Sequence, residues 1–144
     1  MPDSAPVLSA TDESPVLSDL LRLCRGALDA ADRYKQVAIN AVAGLVRNED
    51  GRIDPKLLEI NQYASHGLAW VATYVESLRE LLHWAERLDA EGKLGELEQL
   101  MLQAGFGEYL AQLGNGIPMN QGEVVRPQDL NIDMTQVQRL GTPE

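Results

Sequence analysis

Between Leu17 and Leu45 apolar residues recur at intervals of mostly three and four: Leu17, Leu20, Leu21, Cys24, Leu28, Ala31, Tyr34, Ala38, Ala41 and Leu45. Such a stripe is one face of an amphipathic helix. Ser14-Pro15 ahead of it offers an N-cap followed by proline at the first helical position, where the missing N–H is no loss. The pattern predicts one long helix over about residues 15–47, with room for a kink near Asp29–Asp32 and with Gly26 and Gly44 weakening it by ~1 kcal/mol each relative to alanine. Asn48-Glu49-Asp50-Gly51 ends it. Asp54-Pro55 then opens a second helix, which the periodicity carries to about Asp89. This helix holds two neighbouring stripes. One is Ala64, Leu68, Val71, Val75, Leu78, Leu82 and Ala85; the other is Tyr63, Gly67, Trp70, Tyr74, Ser77, Leu81 and Trp84. A helix apolar on two adjoining faces touches more than one partner, so it is expected at the centre of a bundle.

After the short connection Gly92-Lys93-Leu94-Gly95, the positions Leu97, Leu100, Met101 and Ala104 resume a helical face. Gly105 and Gly107 flank Phe106 and are expected to bend or break this third helix. Gly114-Asn115-Gly116 is expected to end it through a left-handed cap. Beyond it, Ile117-Pro118-Met119-Asn120-Gln121-Gly122 and Arg126-Pro127 cannot hold a helix. An extended arm follows, with one short helical turn around Asp133–Leu140 and a β-like pair at Val124-Val125. The fold class is therefore all-α: an antiparallel helical bundle of two long helices and a third broken one, with an extended C-terminal arm. Residues 1–13 are expected to be a disordered tail, 14–114 the bundle domain, and 115–144 the arm and a linker.

Composition narrows the function. The 144 residues carry 12 Lys+Arg against 22 Asp+Glu, a net charge of −10. Nucleic acid and anionic membrane surfaces are poor partners for such a chain. Cys24 is the only cysteine, so no intrachain disulfide exists. No apolar run nears the ~18 residues of a membrane-spanning helix, and no secretory signal is present. A cytoplasmic location is the expectation.

Candidate chemistry is sparse. The loop Asn48–Asp54 has the glycine of a calcium loop at Gly51, but Val46 and Leu57 stand where the first and twelfth ligands should be carboxylates. It reads as a helix stop, a turn and a new N-cap. His66 and His83 lie ~25 Å apart on one predicted helix and cannot share a metal ion within the chain. Cys24 falls on an apolar face, where thiols are inert. No nucleophile elbow or phosphate loop occurs. Glu96, Glu98, Glu108 and Glu123 read as solvated charge. No catalytic, cofactor-binding or metal-ligating residue is assigned. The aromatic stripe is the one distinctive feature, since seven aromatics serve the whole chain. Trp and Tyr favour contact surfaces. Tyr63, His66, Trp70, Tyr74, Trp84 and Phe106 are therefore the candidate partner interface, although such a stripe is more often bundle core.

Three pieces of the stretch 66–130 carry a resemblance: His66-Gly67-Leu68-Ala69-Trp70, Gly105-Phe106-Gly107-Glu108-Tyr109-Leu110, and Ile117-Pro118-Met119 with Gln121-Gly122-Glu123. Together they resemble the N-terminal helical extension of methylsuccinyl-CoA dehydrogenase-like bacterial acyl-CoA dehydrogenases; residues 15–60 fit the same region more loosely. The resemblance implies a parent or partner flavoprotein that oxidises an acyl-CoA thioester to its α,β-unsaturated product, with FAD, a glutamate base and electron-transfer flavoprotein as acceptor. Those parts belong to a dehydrogenase core expected to begin where this sequence stops, and none of their residues matches a position here. The leading expectation is a non-catalytic accessory module that packs on an acyl-CoA dehydrogenase core or on its own copy. A second is that the arm 117–126 covers part of the acyl-CoA or flavin site, with Arg126 meeting a carboxylate or phosphate. A third is a stand-alone helical interaction module.

Overall fold

The computed structural model describes residues 14–141; the expected N-terminal tail and the last three residues of the linker lie outside the described residues. The fold is mainly α. Its helices are α1 (Leu20–Val46), α2 (Pro55–Ile60), α3 (Gln62–Ala90), α4 (Glu96–Asn115) and α5 (Met134–Gln138). A two-stranded antiparallel hairpin, β1 (Ile117–Pro118) and β2 (Val124–Val125), and a 3-10 turn (Pro127–Leu130) lie between α4 and α5.

The partners across the bundle fix the helix directions. Arg25 meets Glu86, Asp32 meets Arg79 and Leu45 meets Asn61, so α1 and α3 are antiparallel. Tyr74 meets Tyr109 and Gln112 while Leu81 lies against Gly105, so α3 and α4 are antiparallel too. Both stripes of α3 are used: Ala64, Val71, Val75, Leu78, Leu82 and Ala85 of one are buried, while of the other Tyr74 and Leu81 meet α4 and Gly67 meets Val125 and Leu130. Leu78, Leu102, Leu113, Ile117, Leu130, Val71 and Val75 form the most enclosed part of the core.

Several features differ from the sequence reading. α1 begins at Leu20, not at residue 15, behind Asp19 in a left-handed conformation with φ 56°. Ser14 makes only a local turn with Val16. The backbone of the segment before the helix is instead taken by the Gln103 side chain, which accepts from Leu17 N–H at 2.8 Å and donates to the Pro15 carbonyl at 3.1 Å. No break interrupts α1 at Asp29–Asp32. The helix expected from Asp54 to Asp89 is two helices, α2 and α3. Asp54 caps α2 through its carboxylate as expected, but the chain turns at Asn61, whose amide donates to the carbonyls of Leu57 and Leu45 at 2.8 and 3.2 Å. The amide thereby ties the start of α3 to the end of α1.

The third helix is not broken. α4 runs through Gly105 and Gly107 without interruption. A Cβ on Gly105 would stand 2.6 Å from a Leu81 methyl, so this glycine lets α3 approach α4 closely, and that packing outweighs its weak helix propensity. The helix ends at Gly116, but with φ 140° and ψ 130°, an extended glycine conformation rather than the left-handed cap. From there the arm turns back over the bundle. Ile117, Val125, Leu130 and Ile132 are buried. A Cβ on Gly67 of α3 would lie 2.4 Å from a Val125 methyl; its absence lets β2 lie directly on the helix.

Candidate functional site

The aromatic stripe is built by i,i+4 steps along α3. Trp70 donates its indole N–H to His66 Nε2 at 3.1 Å, with ring centroids 6.4 Å apart. Trp70 and Tyr74 meet edge-on at 6.5 Å. The row then crosses to α4, where Tyr109 stacks on Tyr74 at 4.4 Å. The Tyr74 hydroxyl donates to Gln112 Oε1, and the Gln112 amide donates to Glu108. Burial, then the neighbouring Tyr109 and Glu108, raise the Tyr74 phenol above its ordinary value. Aromatic pairs of this geometry contribute ~0.5–1.5 kcal/mol beyond the area they bury. Tyr74 and Tyr109 therefore weld α3 to α4.

The stripe is thus divided. Phe106 and Tyr74 are buried core residues. Trp84 is half-buried, packs against the hydrophobic core and joins none of these ring pairs. Tyr63 and His66 are exposed and Trp70 is half-buried. Tyr63 also donates its hydroxyl to the Val124 carbonyl at 3.1 Å, which holds the hairpin to α3. Tyr63, His66, Gln62 and Glu123 line an open recess of about 470 Å³. It holds the Glu123 carboxyl group and no lysine or arginine, a poor lining for the phosphates of FAD or coenzyme A. Sequence reasoning passed over Tyr109 and Gln112; Tyr109 lay within a quoted motif, but only the docking of α4 brings it to Tyr74.

The other expected and tested positions fall as follows. Asn48 Oδ1 accepts from the N–H groups of Asp50 and Arg52, and Gly51 has φ 75°: a turn built by its own side chain. Among the described residues no group of three or more His, Cys, Asp or Glu could hold a metal ion, and no helix is long and apolar enough to cross a membrane. Cys24 is buried, and burial pushes its thiol up to about 11, away from the thiolate a nucleophile needs. Arg126 is exposed, and its backbone N–H donates to Asp129 at 2.8 Å.

This helical domain is related to part of an acyl-CoA dehydrogenase. The relative is the (2S)-methylsuccinyl-CoA dehydrogenase of Cereibacter sphaeroides, to which the chain is 48% identical over 120 residues, 83% of its length. The chain spans 22% of that protein, consistent with the N-terminal helical piece whose motifs it carries. A match of this extent takes in α3 and α4 whole. No protein-family model matches the chain.

Proposed function

We propose that this chain is a non-catalytic accessory domain of a FAD-dependent, methylsuccinyl-CoA dehydrogenase-like enzyme, acting in the cytoplasm by packing on the dehydrogenase portion. The identity to the Cereibacter enzyme carries this reading. The domain's own chemistry supports it: the thiol is buried, the two histidines stand on separate turns of α3, and the conspicuous aromatics join helices to one another. In the parent or partner, the dehydrogenase portion would hold FAD and a glutamate base and would oxidise the acyl-CoA thioester to the α,β-unsaturated product. The test is removal of the matched segment from the Cereibacter enzyme. An accessory role predicts that flavin remains bound and that turnover per flavin stays within about tenfold, while assembly or thermal stability falls. Loss of flavin, or a fall in turnover beyond about a thousandfold with the flavin retained, overturns it.

A second reading, that the arm shapes the acyl-CoA or flavin site, draws on the exposed Arg126 guanidinium beside a hairpin held firmly on α3. Loops on rigid scaffolds commonly carry function. With this chain substituted for the matched segment, Arg126→Ala should then raise KM for the acyl-CoA with little change in kcat. Unchanged kinetics remove this reading.

A further inference from the structure

On the side that faces away from the core α4 carries apolar residues around one carboxylate, the exposed Glu108. Leu102, Phe106 and Leu113 are buried. Leu97 and Met101 are 66% and 53% exposed, and Ala104 and Ala111 are exposed beside them. The spacing 97, 101, 104, 108, 111 sets these four on one face together with Glu108, away from the buried set. That face adjoins an apolar cleft of about 260 Å³ between α1 and α4, whose lining includes the exposed Leu17 and Leu23 and the α4 residue Gly107. Apolar side chains left open together on a helix surface mark a contact surface.

Charge indicates what covers it. α4 carries Glu96, Glu98 and Glu108 and no Lys, Arg or His. Two cations of α1, Arg22 and Arg25, are paired with Asp19 and Glu86 within the chain. A second copy meeting this face with its own would oppose carboxylates to carboxylates, on chains of net charge −10. The complementary surface is apolar and edged with lysine or arginine, and belongs to a different partner.

We propose that the outer face of α4, with the adjoining α1–α4 cleft, is the surface on which this domain seats against the dehydrogenase portion of the enzyme, an apolar surface there being flanked by basic side chains. The inference rests on the reading that the domain packs on that portion. It places the contact away from the exposed end of the aromatic stripe.

Two methionines make the test. Met101 and Met134 are almost equally exposed, 53% and 52%, but Met134 lies on α5. Oxidation by hydrogen peroxide, read by peptide mass spectrometry, should proceed at similar rates at both in the free chain. When the chain replaces the matched segment of the Cereibacter enzyme, Met101 oxidation should slow at least about fivefold while Met134 keeps its free-chain rate. Slow oxidation at Met134 with Met101 unchanged means another face docks: the inference fails and the accessory reading stands. Free-chain rates at both sites, in a purified and flavin-loaded enzyme, mean that the domain does not pack on the dehydrogenase portion, and both fail. Protection of Met101 already in the free chain, rising with concentration alongside a dimer mass, identifies a second copy as the occupant and also overturns the inference. The natural Cereibacter enzyme supplies the same reading without engineering. Hydroxyl-radical labelling of its helix matched to α4 should be weaker in the intact enzyme than in the separately produced segment, and equal labelling overturns the proposal.

Discussion

Two buried side chains hold their protons because the fold denies the charged form water. The Tyr34 hydroxyl donates to the Leu113 carbonyl at 3.1 Å, one of the carbonyls that the end of α4 leaves without a helical partner, and burial pushes the phenol up to about 12. Tyr34→Phe orphans that carbonyl and should lower unfolding stability by ~1–2 kcal/mol in urea titration. Cys24 has no such partner and shifts from 9.0 to about 11 by burial alone. In both cases the folded pKa lies above the unfolded one, so the unfolded chain loses the proton first. Stability is full below about pH 9 and falls as Cys24 is carried from 9.0 to about 11. Tyr34 extends the fall from 10.0 to about 12. Urea midpoints measured from pH 8 to 11 should show it, and Cys24→Ala should delay its onset by about one pH unit. Native Cys24 should also resist iodoacetamide until the protein is unfolded.

At the scale of elements, the glycines divide by what stands beside them. Gly67 occupies the crossing of β2 over α3, with a Val125 methyl 2.4 Å and a Leu130 methyl 3.2 Å from the place of a Cβ. Gly67→Ala should push the hairpin off the helix and cost ~1–3 kcal/mol. Gly107, in the same kind of helical backbone, has nothing within 4 Å of that place. Gly107→Ala should stabilise by ~0.5–1 kcal/mol, through helix propensity and a less free unfolded chain. Opposite signs in paired thermal melts are the expected outcome; a loss for both would mean that α4 needs Gly107 for a bend. The same comparison explains why the expected break in α4 is absent. Paired glycines permit a bend, but here one of them serves a close helix crossing and the other faces outward.

For the molecule as a whole, an ion-pair cluster spans the two longest helices. Arg79 of α3 donates to both Asp32 oxygens, at 2.6 and 2.7 Å, and Lys35 lies 2.8 Å from the same carboxylate. Burial alone would raise the Asp32 carboxyl. The hydrogen bonds and charges of Lys35 and Arg79 outweigh it and hold the group below 3.8. Its folded pKa is therefore depressed, and its contribution is present above 3.8 and lost as pH falls through the folded value. Asp32→Asn should flatten the acid limb of stability against pH below about 4 while leaving the alkaline limb unchanged. The proposed place in an enzyme also belongs to this scale: it rests on the extended identity to part of a dehydrogenase.

Local order determined much that the sequence alone could reveal. Apolar spacing of three and four marked the long helices, because that period places residues on one side of a helix whatever surrounds it. Asp54-Pro55 marked a helix start because the cap is made within one turn, and Val124-Val125 showed its β character in two residues. The motifs around His66-Gly67, Phe106 and Ile117-Pro118 marked the relative. What remained depended on contacts between residues far apart. Asn61 splits a helix because its amide finds the Leu45 carbonyl on another element. α1 starts late because Gln103 takes the backbone ahead of it. Tyr74 and Phe106 are core while Leu97 and Met101 are surface because α4 turns a particular side toward α3. A stripe of apolar residues states that something covers it; only the packing of the helices decides whether the cover is the chain itself or the face remains open.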